Sequence, residues 1–173
     1  GLLLRLPTRL RDLGWRVKAI IRDGEVLDVR AQQDDRTYGL AVDVGTTTVV
    51  AYLVDLVTGK VASTKSDYNG QIVYGEDVIT RMNYAIRDYD RLKELQSMIV
   101  VTVNELASQA ASEVGCSTSD IYEGTFAGNA VMTSFLVGAE TTAIATTPYV
   151  PPFRAALKLN ARSLGLSFNG AAN

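Results

Sequence analysis

The sequence predicts an α/β domain in which a mixed sheet with three leading antiparallel strands is flanked by helices. Three apolar segments follow one another between residues 38 and 66, and two segments with helical spacing follow between residues 78 and 110. A further strand and a further helix come after them. Consecutive strands joined by short turns favour antiparallel pairing, whereas a strand reached through helices favours parallel pairing. This order is typical of a ribonuclease H-like half-domain.

Residues 1–37 are predicted to form a short module that precedes the sheet, the tail of a preceding middle domain or a linker. Apolar residues alternate on both sides of Asp23-Gly24, which predicts a hairpin with a two-residue turn. The chain begins with Gly1 rather than Met and ends with small residues at 170–173. We therefore expect an excerpt of a longer protein, although a cleaved tag explains Gly1 equally well.

The segment from residue 38 to residue 153 is predicted to be one lobe. The strands are expected at residues 38–44, 49–54, 60–66 and 120–127. The first of them is apolar on both faces until Asp43, which is typical of a strand in the middle of a covered sheet. Helices are expected at residues 78–89, 92–110 and 129–137, where Gly115 and Gly138 end the last two. Residues 146–153 form a proline-rich loop, and residues 154–173 are interpreted as the start of an incomplete following segment.

Composition excludes several chemistries. The chain has 173 residues, 17 basic and 19 acidic side chains and a net charge of −2, so bulk binding to nucleic acid or to anionic membranes is disfavoured. It contains no His and one Cys. Within this chain, these counts exclude His-based nucleophile systems, a disulfide and a Cys-ligated iron–sulfur cluster. No targeting segment or membrane span is visible, and we expect a cytoplasmic protein.

The main candidate site is the turn between the first two buried strands, Asp43-Val44-Gly45-Thr46-Thr47-Thr48. Gly45 allows close approach of the backbone to a ligand, and the following N–H groups and the hydroxyls of Thr46, Thr47 and Thr48 are donors for phosphoryl oxygens. Asp43 next to a phosphate requires a cation between them, and Mg²⁺ held through water fits. The alternative is a simple hairpin turn in which Asp43 caps the backbone. P-loop and dinucleotide-binding motifs are absent.

Two further stretches are candidates. Gly128-Asn129 lies between a predicted strand and a predicted helix, where free N–H groups suit an anion or a reactive water; plain N-capping by Asn129 is the alternative. The stretch from Asp67 to Asp77 is dense in amides and aromatic residues, which favours recognition, although turn chemistry explains Asn69 and both glycines equally well. Arg81, Arg87 and Arg91 are predicted to lie on a solvated face.

Four segments occur in an order that resembles one known family. They are YGLAVDVGTTTVVAYLVDLVTGK (38–60), NGQIVYGEDVITRMNYA (69–85), AGNAVMTSFLVG (127–138) and PYVPPF (148–153). The chain is similar here to reductive activators of corrinoid-dependent methyltransferases, which are ATPases of the acetate and sugar kinase/Hsp70/actin superfamily. The D-x-G-T-T-T element is common to that superfamily, and the second and third segments are much more particular to the activators.

The resemblance implies a role for each candidate residue. Asp43 would hold the hydration shell of Mg²⁺, Gly45–Thr48 and Gly128 would bind the phosphates of ATP, and Asn129 would lie near the attacking water. The Asn69–Arg81 segment would shape the cleft or contact the corrinoid protein. Its candidate residues are Asn69, Gln71, Tyr74, Gly75, Asp77 and Arg81. Ala130, Val131 and Ser134 depart from the G-N-T-T-M-T-H pattern that the family commonly has.

The implied activity is ATP-dependent reduction of cob(II)alamin to cob(I)alamin on a corrinoid protein. A [2Fe–2S] cluster is expected only in an N-terminal domain outside this chain, and the second ATPase lobe is also outside it. We expect the chain alone to be inactive as an ATPase. A homodimer is compatible with the sequence. The alternatives are a sugar or acyl kinase lobe of the same superfamily and a non-catalytic lobe that binds a partner.

Overall fold

The computed structural model describes residues 2–172, so Gly1 and Asn173, on which part of the excerpt interpretation depends, lie outside the described residues. The chain divides into two compact units, one up to Thr37 and one from Tyr38 onward. Among the described residues, no helix has both the length and the apolar composition that crossing a bilayer requires.

The first unit consists of helix α1 (Leu2–Asp12) and a hairpin of strands β1 (Val17–Arg22) and β2 (Glu25–Ala31). The hairpin is confirmed, and both residues of its Asp23-Gly24 turn have positive φ. Helix α1 was not predicted. Its signal is the spacing of Leu2, Leu6 and Leu10, whereas Pro7 argued against a helix.

The second unit contains a four-stranded sheet built from β3 (Tyr38–Val44), β4 (Thr48–Asp55), β5 (Val61–Tyr68) and β6 (Ile121–Gly128). The strand order is β5-β4-β3-β6. The pairs β3–β4 and β4–β5 are antiparallel, and β3–β6 is parallel. The predicted fold class, a ribonuclease H-like half-domain with a mixed sheet, is therefore confirmed.

The helices form two groups along the chain, one before β6 and one after it. Between β5 and β6 lie a 3₁₀ turn (Gly70–Tyr74), helix α2 (Val78–Ala85) and helix α3 (Tyr89–Glu113). After β6 come α4 (Ala130–Val137), the short α5 (Thr142–Ala145) and a 3₁₀ turn (Ala161–Leu164). Tyr89 was expected at the end of the first of these helices but begins α3 instead, because Asp88 caps α3 by accepting a hydrogen bond from the Asp90 amide.

One face of the sheet forms the core together with α3. The alternate residues Leu40, Val42 and Val44 of β3 are buried, as are Leu95 and Ile99 of α3. The expectation of a sheet covered on both faces is wrong for this chain, because the opposite face is only partly covered; Tyr52, on that face of β4, is 39% exposed. Residues near the C-terminus join the same core; they are Ala161, Leu166, Phe168 and Ala172.

Candidate functional site

The two candidate stretches with glycine lie side by side at one end of the sheet. In the parallel β3–β6 pair, Asp43 is opposite Ala127 and Val44 is opposite Gly128. Because both strands end there, the Gly45–Thr48 turn and Gly128-Asn129 leave the sheet at the same edge. The carboxyl ends of adjacent parallel strands are where open α/β sheets place their ligands.

The Gly45–Thr48 turn is too tight for a side chain at its first position. A Cβ on Gly45 would lie 2.4 Å from the carbonyl oxygen of Thr48, which is backbone and cannot move aside. The amide N–H groups of Thr46 and Thr47 donate to no protein acceptor within residues 2–172. The turn therefore has close backbone packing on one side and free donors for an anion.

Asp43 lies next to this turn on the side away from the core. Val42 and Val44 are buried, and the Asp43 side chain between them is exposed because successive residues of a strand point to opposite faces. Among the described residues, no cluster of three or more His, Cys, Asp or Glu side chains could hold a metal ion. A single exposed carboxylate fits Mg²⁺, which typically keeps most of its water and takes few protein ligands.

Gly128 and Asn129 form the second half of the site. A Cβ on Gly128 would lie 2.9 Å from the carbonyl oxygen of Val44, so glycine is what allows the two strand ends to approach. Asn129 caps α4: its Oδ1 accepts from the amides of Val131 and Met132 at 3.0 and 2.9 Å. Its Nδ2 lies 3.4 Å from the hydroxyl of Thr46. Asn129 is thus a helix cap that also contacts the Gly45–Thr48 turn.

The Asn69–Arg81 segment behaves differently, because three of its candidate residues are completely buried. Asn69, Gln71 and Arg81 have no exposed surface. Gln71 donates from Nε2 to the carbonyl oxygen of Leu95 in α3 at 2.8 Å, and its Oε1 accepts from Arg81 Nη1 at 3.3 Å. Arg81 Nε donates to the carbonyl oxygen of Gly75 at 2.8 Å. These side chains fold the segment against α3.

Arg81 does not lie on a solvated face, and that prediction is wrong. Arg81 follows Val78 by three residues and precedes Ala85 by four, so it points to the same buried face of α2. Burial lowers the pKa of its guanidinium, which Asp77 partly offsets. Its Nη2 has no hydrogen-bond partner among the described residues. Arg87 is exposed as predicted, and Arg91 stacks over the Tyr84 ring at 4.8 Å.

The other three residues of this segment have structural partners. The Tyr74 ring lies 4.7 Å from the Tyr84 ring. Gly75 has φ of 152°, and a Cβ there would lie 2.6 Å from the Thr80 methyl group. Asp77 caps α2, and the hydrogen bonds from the Thr80 amide and hydroxyl lower the pKa of its carboxyl group. Ring packing accounts for Tyr74, and turn and capping chemistry accounts for Gly75 and Asp77.

Two features of the site were missed by reasoning from sequence. The side chain of Asn69 donates to the carbonyl oxygen of Gly45 at 2.9 Å, which links the buried segment to the turn. Met132 lies between them, with its sulfur 3.7 Å from both Asn69 Nδ2 and Arg81 Nη1. Contacts between residues so far apart in sequence leave no local signal.

Fold and site together define an actin/Hsp70-like half-domain that has a polar, glycine-dependent turn at the ends of two parallel strands. The chain belongs to the family described as the RACo middle region, whose model matches residues 38–173.

Two relatives are informative. A corrinoid activation enzyme, RamQ, from Eubacterium limosum is 28% identical over 156 residues, which are 89% of this chain and 26% of the relative. A solved structure of a reductive activator for a corrinoid, iron–sulfur protein matches 98% of this chain and 28% of its own, with 34% identity and a TM-score of 0.85. The chain thus spans about a quarter of the length of the proteins it matches.

Proposed function

We propose that this chain is the phosphate- and Mg²⁺-binding lobe of an ATP-dependent reductive activator. In the longer protein it would help to drive reduction of cob(II)alamin to cob(I)alamin on a corrinoid protein. One observation supports the nucleotide role above the others: the parallel β3–β6 pair brings the Gly45–Thr48 turn and Gly128-Asn129 to the same edge of the sheet. Family membership and the names of the two relatives support the corrinoid role.

Each residue would contribute through positioning and charge rather than through covalent chemistry. The free N–H groups of Thr46 and Thr47 and the threonine hydroxyls would bind phosphoryl oxygens, and Gly128 would leave room for them. Asp43 would hold water molecules of Mg²⁺, and the bound metal would neutralise charge on the phosphates. Asn129 Oδ1 is already used by the α4 cap, so its Nδ2, which lies 3.4 Å from the Thr46 hydroxyl, is the group that would face the ligand.

The corrinoid protein would contact the chain through exposed residues. Because Asn69, Gln71 and Arg81 are buried, they favour the first of the two roles expected for this stretch, which is to shape the cleft. The exposed apolar side chains in the same stretch are Val73, 72% exposed, and Ile79, 63% exposed. These two are the better candidates for direct contact.

Titration of the ¹⁵N-labelled chain with Mg·ATP tests the nucleotide role. We expect the amide resonances of Gly45–Thr48 and Asn129 to shift, and Asp43→Asn to weaken binding by about tenfold, which is the worth of one charge-assisted contact. Asp55→Asn, at the far end of β4, is the matched control and leaves binding unchanged. Because nucleotides of this superfamily lie between two lobes, we expect no ATP turnover by this chain alone. Shifts confined to other regions would contradict the proposal.

A further inference from the structure

We propose that Asn69 is a positioning residue that orients the Gly45–Thr48 turn for phosphate. The inference rests on the proposed nucleotide role of that turn. Asn69 makes two hydrogen bonds to it: Nδ2 donates to the carbonyl oxygen of Gly45 at 2.9 Å, and the backbone N–H donates to the carbonyl oxygen of Thr47 at 2.8 Å. One buried residue therefore fixes two of the peptide groups of the turn.

These two bonds determine where the intervening donors point. The peptide bonds of the turn are trans, since the cis bond among the described residues is Thr147-Pro148, and in a trans peptide the C=O and the following N–H point in opposite directions. Fixing the Gly45 and Thr47 carbonyls toward Asn69 turns the N–H groups of Thr46 and Thr48 away from it. The Thr46 N–H is one of the donors without a protein acceptor. The turn is thus oriented for an anion before one binds.

The orientation of the Asn69 amide is itself fixed. The backbone N–H of Gln71 can only donate, and it donates to Asn69 Oδ1 at 3.0 Å, so the amide nitrogen must face Gly45. Gln71 is held by Leu95 and Arg81, as described above. Asn69 also has no exposed surface, which removes competition from water. Asn69, Gln71 and Arg81 thus form a buried network behind the turn.

Asn69→Asp tests the proposal with minimal change in shape. Aspartate keeps the acceptor for Gln71 N–H but replaces the donor that Gly45 requires by an acceptor, so the two oxygens repel and the Gly45–Thr46 peptide loses its orientation. The matched control is Asn104→Asp. Asn104 makes a similar pair of bonds far from the turn, from Nδ2 to the Gly165 carbonyl at 3.0 Å and from the Ser167 amide to Oδ1 at 2.8 Å.

We expect Asn69→Asp to weaken binding of Mg·ATP and of Mg·pyrophosphate to the full chain by about tenfold or more, and Asn104→Asp to change it by less than about twofold. Equal effects of the two variants would overturn the positioning role, since a general loss of stability would then explain both. Wild-type binding that Asn69→Asp leaves intact would also overturn it. Absence of binding by the wild-type chain would instead contradict the proposed function.

A measurement on the unmodified chain covers the case in which Asn69→Asp does not fold. Scalar coupling across a hydrogen bond, measured by NMR between Asn69 Nδ2 and the Gly45 carbonyl carbon, is expected in the free protein. On addition of Mg·ATP this coupling persists while the Thr46 amide resonance shifts. A missing coupling in the free protein would overturn the inference, because the turn would then not be held in advance.

Discussion

The sequence singled out two parts of the candidate site, and the structure shows that their polar groups are used in opposite ways. In the strand-end part, residues 43–48 and 128–129, the side chain of Asp43 is exposed and backbone N–H groups are free. In the Asn69–Arg81 segment, the amide and guanidinium groups are buried and bonded to backbone carbonyls. The first part offers contacts to a ligand, whereas the second offers them to the protein itself.

The part of the site that is more specific to the family is therefore not the part that is open to a ligand. The Asn69–Arg81 segment resembles the activator family more specifically than the D-x-G-T-T-T turn does, yet three of its polar side chains cannot touch a partner. A buried polar network has few acceptable substitutes, because each group needs its own hydrogen-bond partner. A distinctive motif can therefore record the requirements of internal packing as well as those of recognition.

The largest effect is expected for Arg81→Ala, which tests whether the buried segment supports the fold. The substitution leaves a cavity and removes the donors for Gln71 Oε1 and the Gly75 carbonyl, so the free energy of unfolding should fall by about 3–4 kcal/mol. Arg81→Met also removes these donors and the buried charge, but methionine fills much of the volume that alanine leaves empty, so it should cost less than Arg81→Ala by about 1 kcal/mol or more.

Arg87→Ala, on the exposed side of the same chain region, is the control and should change stability by less than about 0.5 kcal/mol. Urea unfolding followed by far-UV circular dichroism is the suitable measurement. The single tryptophan of the chain, Trp15, lies in the first unit and not in the unit that contains Arg81. Equal losses for Arg81→Ala and Arg87→Ala would remove the distinction between the two parts of the site.

The next effect concerns the turn, where the backbone should matter more than the side chains. Gly45→Ala places a methyl group 2.4 Å from the Thr48 carbonyl oxygen, and opening the turn should cost about 2 kcal/mol. Thr47→Ala removes an exposed side chain and should leave stability within about 0.5 kcal/mol of the wild type. Thermal unfolding of both variants checks this. A stable Gly45→Ala protein would mean that the turn adapts, contrary to its proposed rigidity.

The sequence was sufficient to predict the strands of the sheet and the position of the Gly45–Thr48 turn. Two short apolar runs, in β3 and β4, are separated by the Gly45–Thr48 turn, which is typical of two buried strands joined by a turn, and this signal is local. The adjacency of Gly45–Thr48 and Gly128-Asn129 follows from one topological step, the parallel pairing of β6 with β3. It could be expected from the fold class once that was predicted.

The burial of Arg81 could not be predicted from the sequence in the same way. Charged side chains on a helix are usually solvated, and this prior outweighed the helical spacing that places Arg81 between Val78 and Ala85. Its acceptors are a backbone carbonyl and an amide from a 3₁₀ turn whose conformation depends on tertiary packing. The bond from Asn69 to Gly45 likewise spans 24 residues and has no local signature.

The smallest effect is expected at Asp77, where the buried segment reaches the surface. Hydrogen bonds from the Thr80 amide and hydroxyl lower the pKa of Asp77 below its ordinary 3.8. A carboxyl group with a lowered folded-state pKa adds stability above its unfolded-state pKa, and this contribution is lost as the pH falls through the folded value. Asn can cap a helix about as well as Asp but does not titrate. The stability difference between the wild type and Asp77→Asn should therefore be constant from pH 7 to about pH 5 and shift against the wild type below about pH 4.

Urea unfolding at a series of pH values measures this difference in the free energy of unfolding. A difference that stays constant down to pH 2 would show that this cap does not depend on the charge of Asp77, and that the surface end of the segment is held by packing alone.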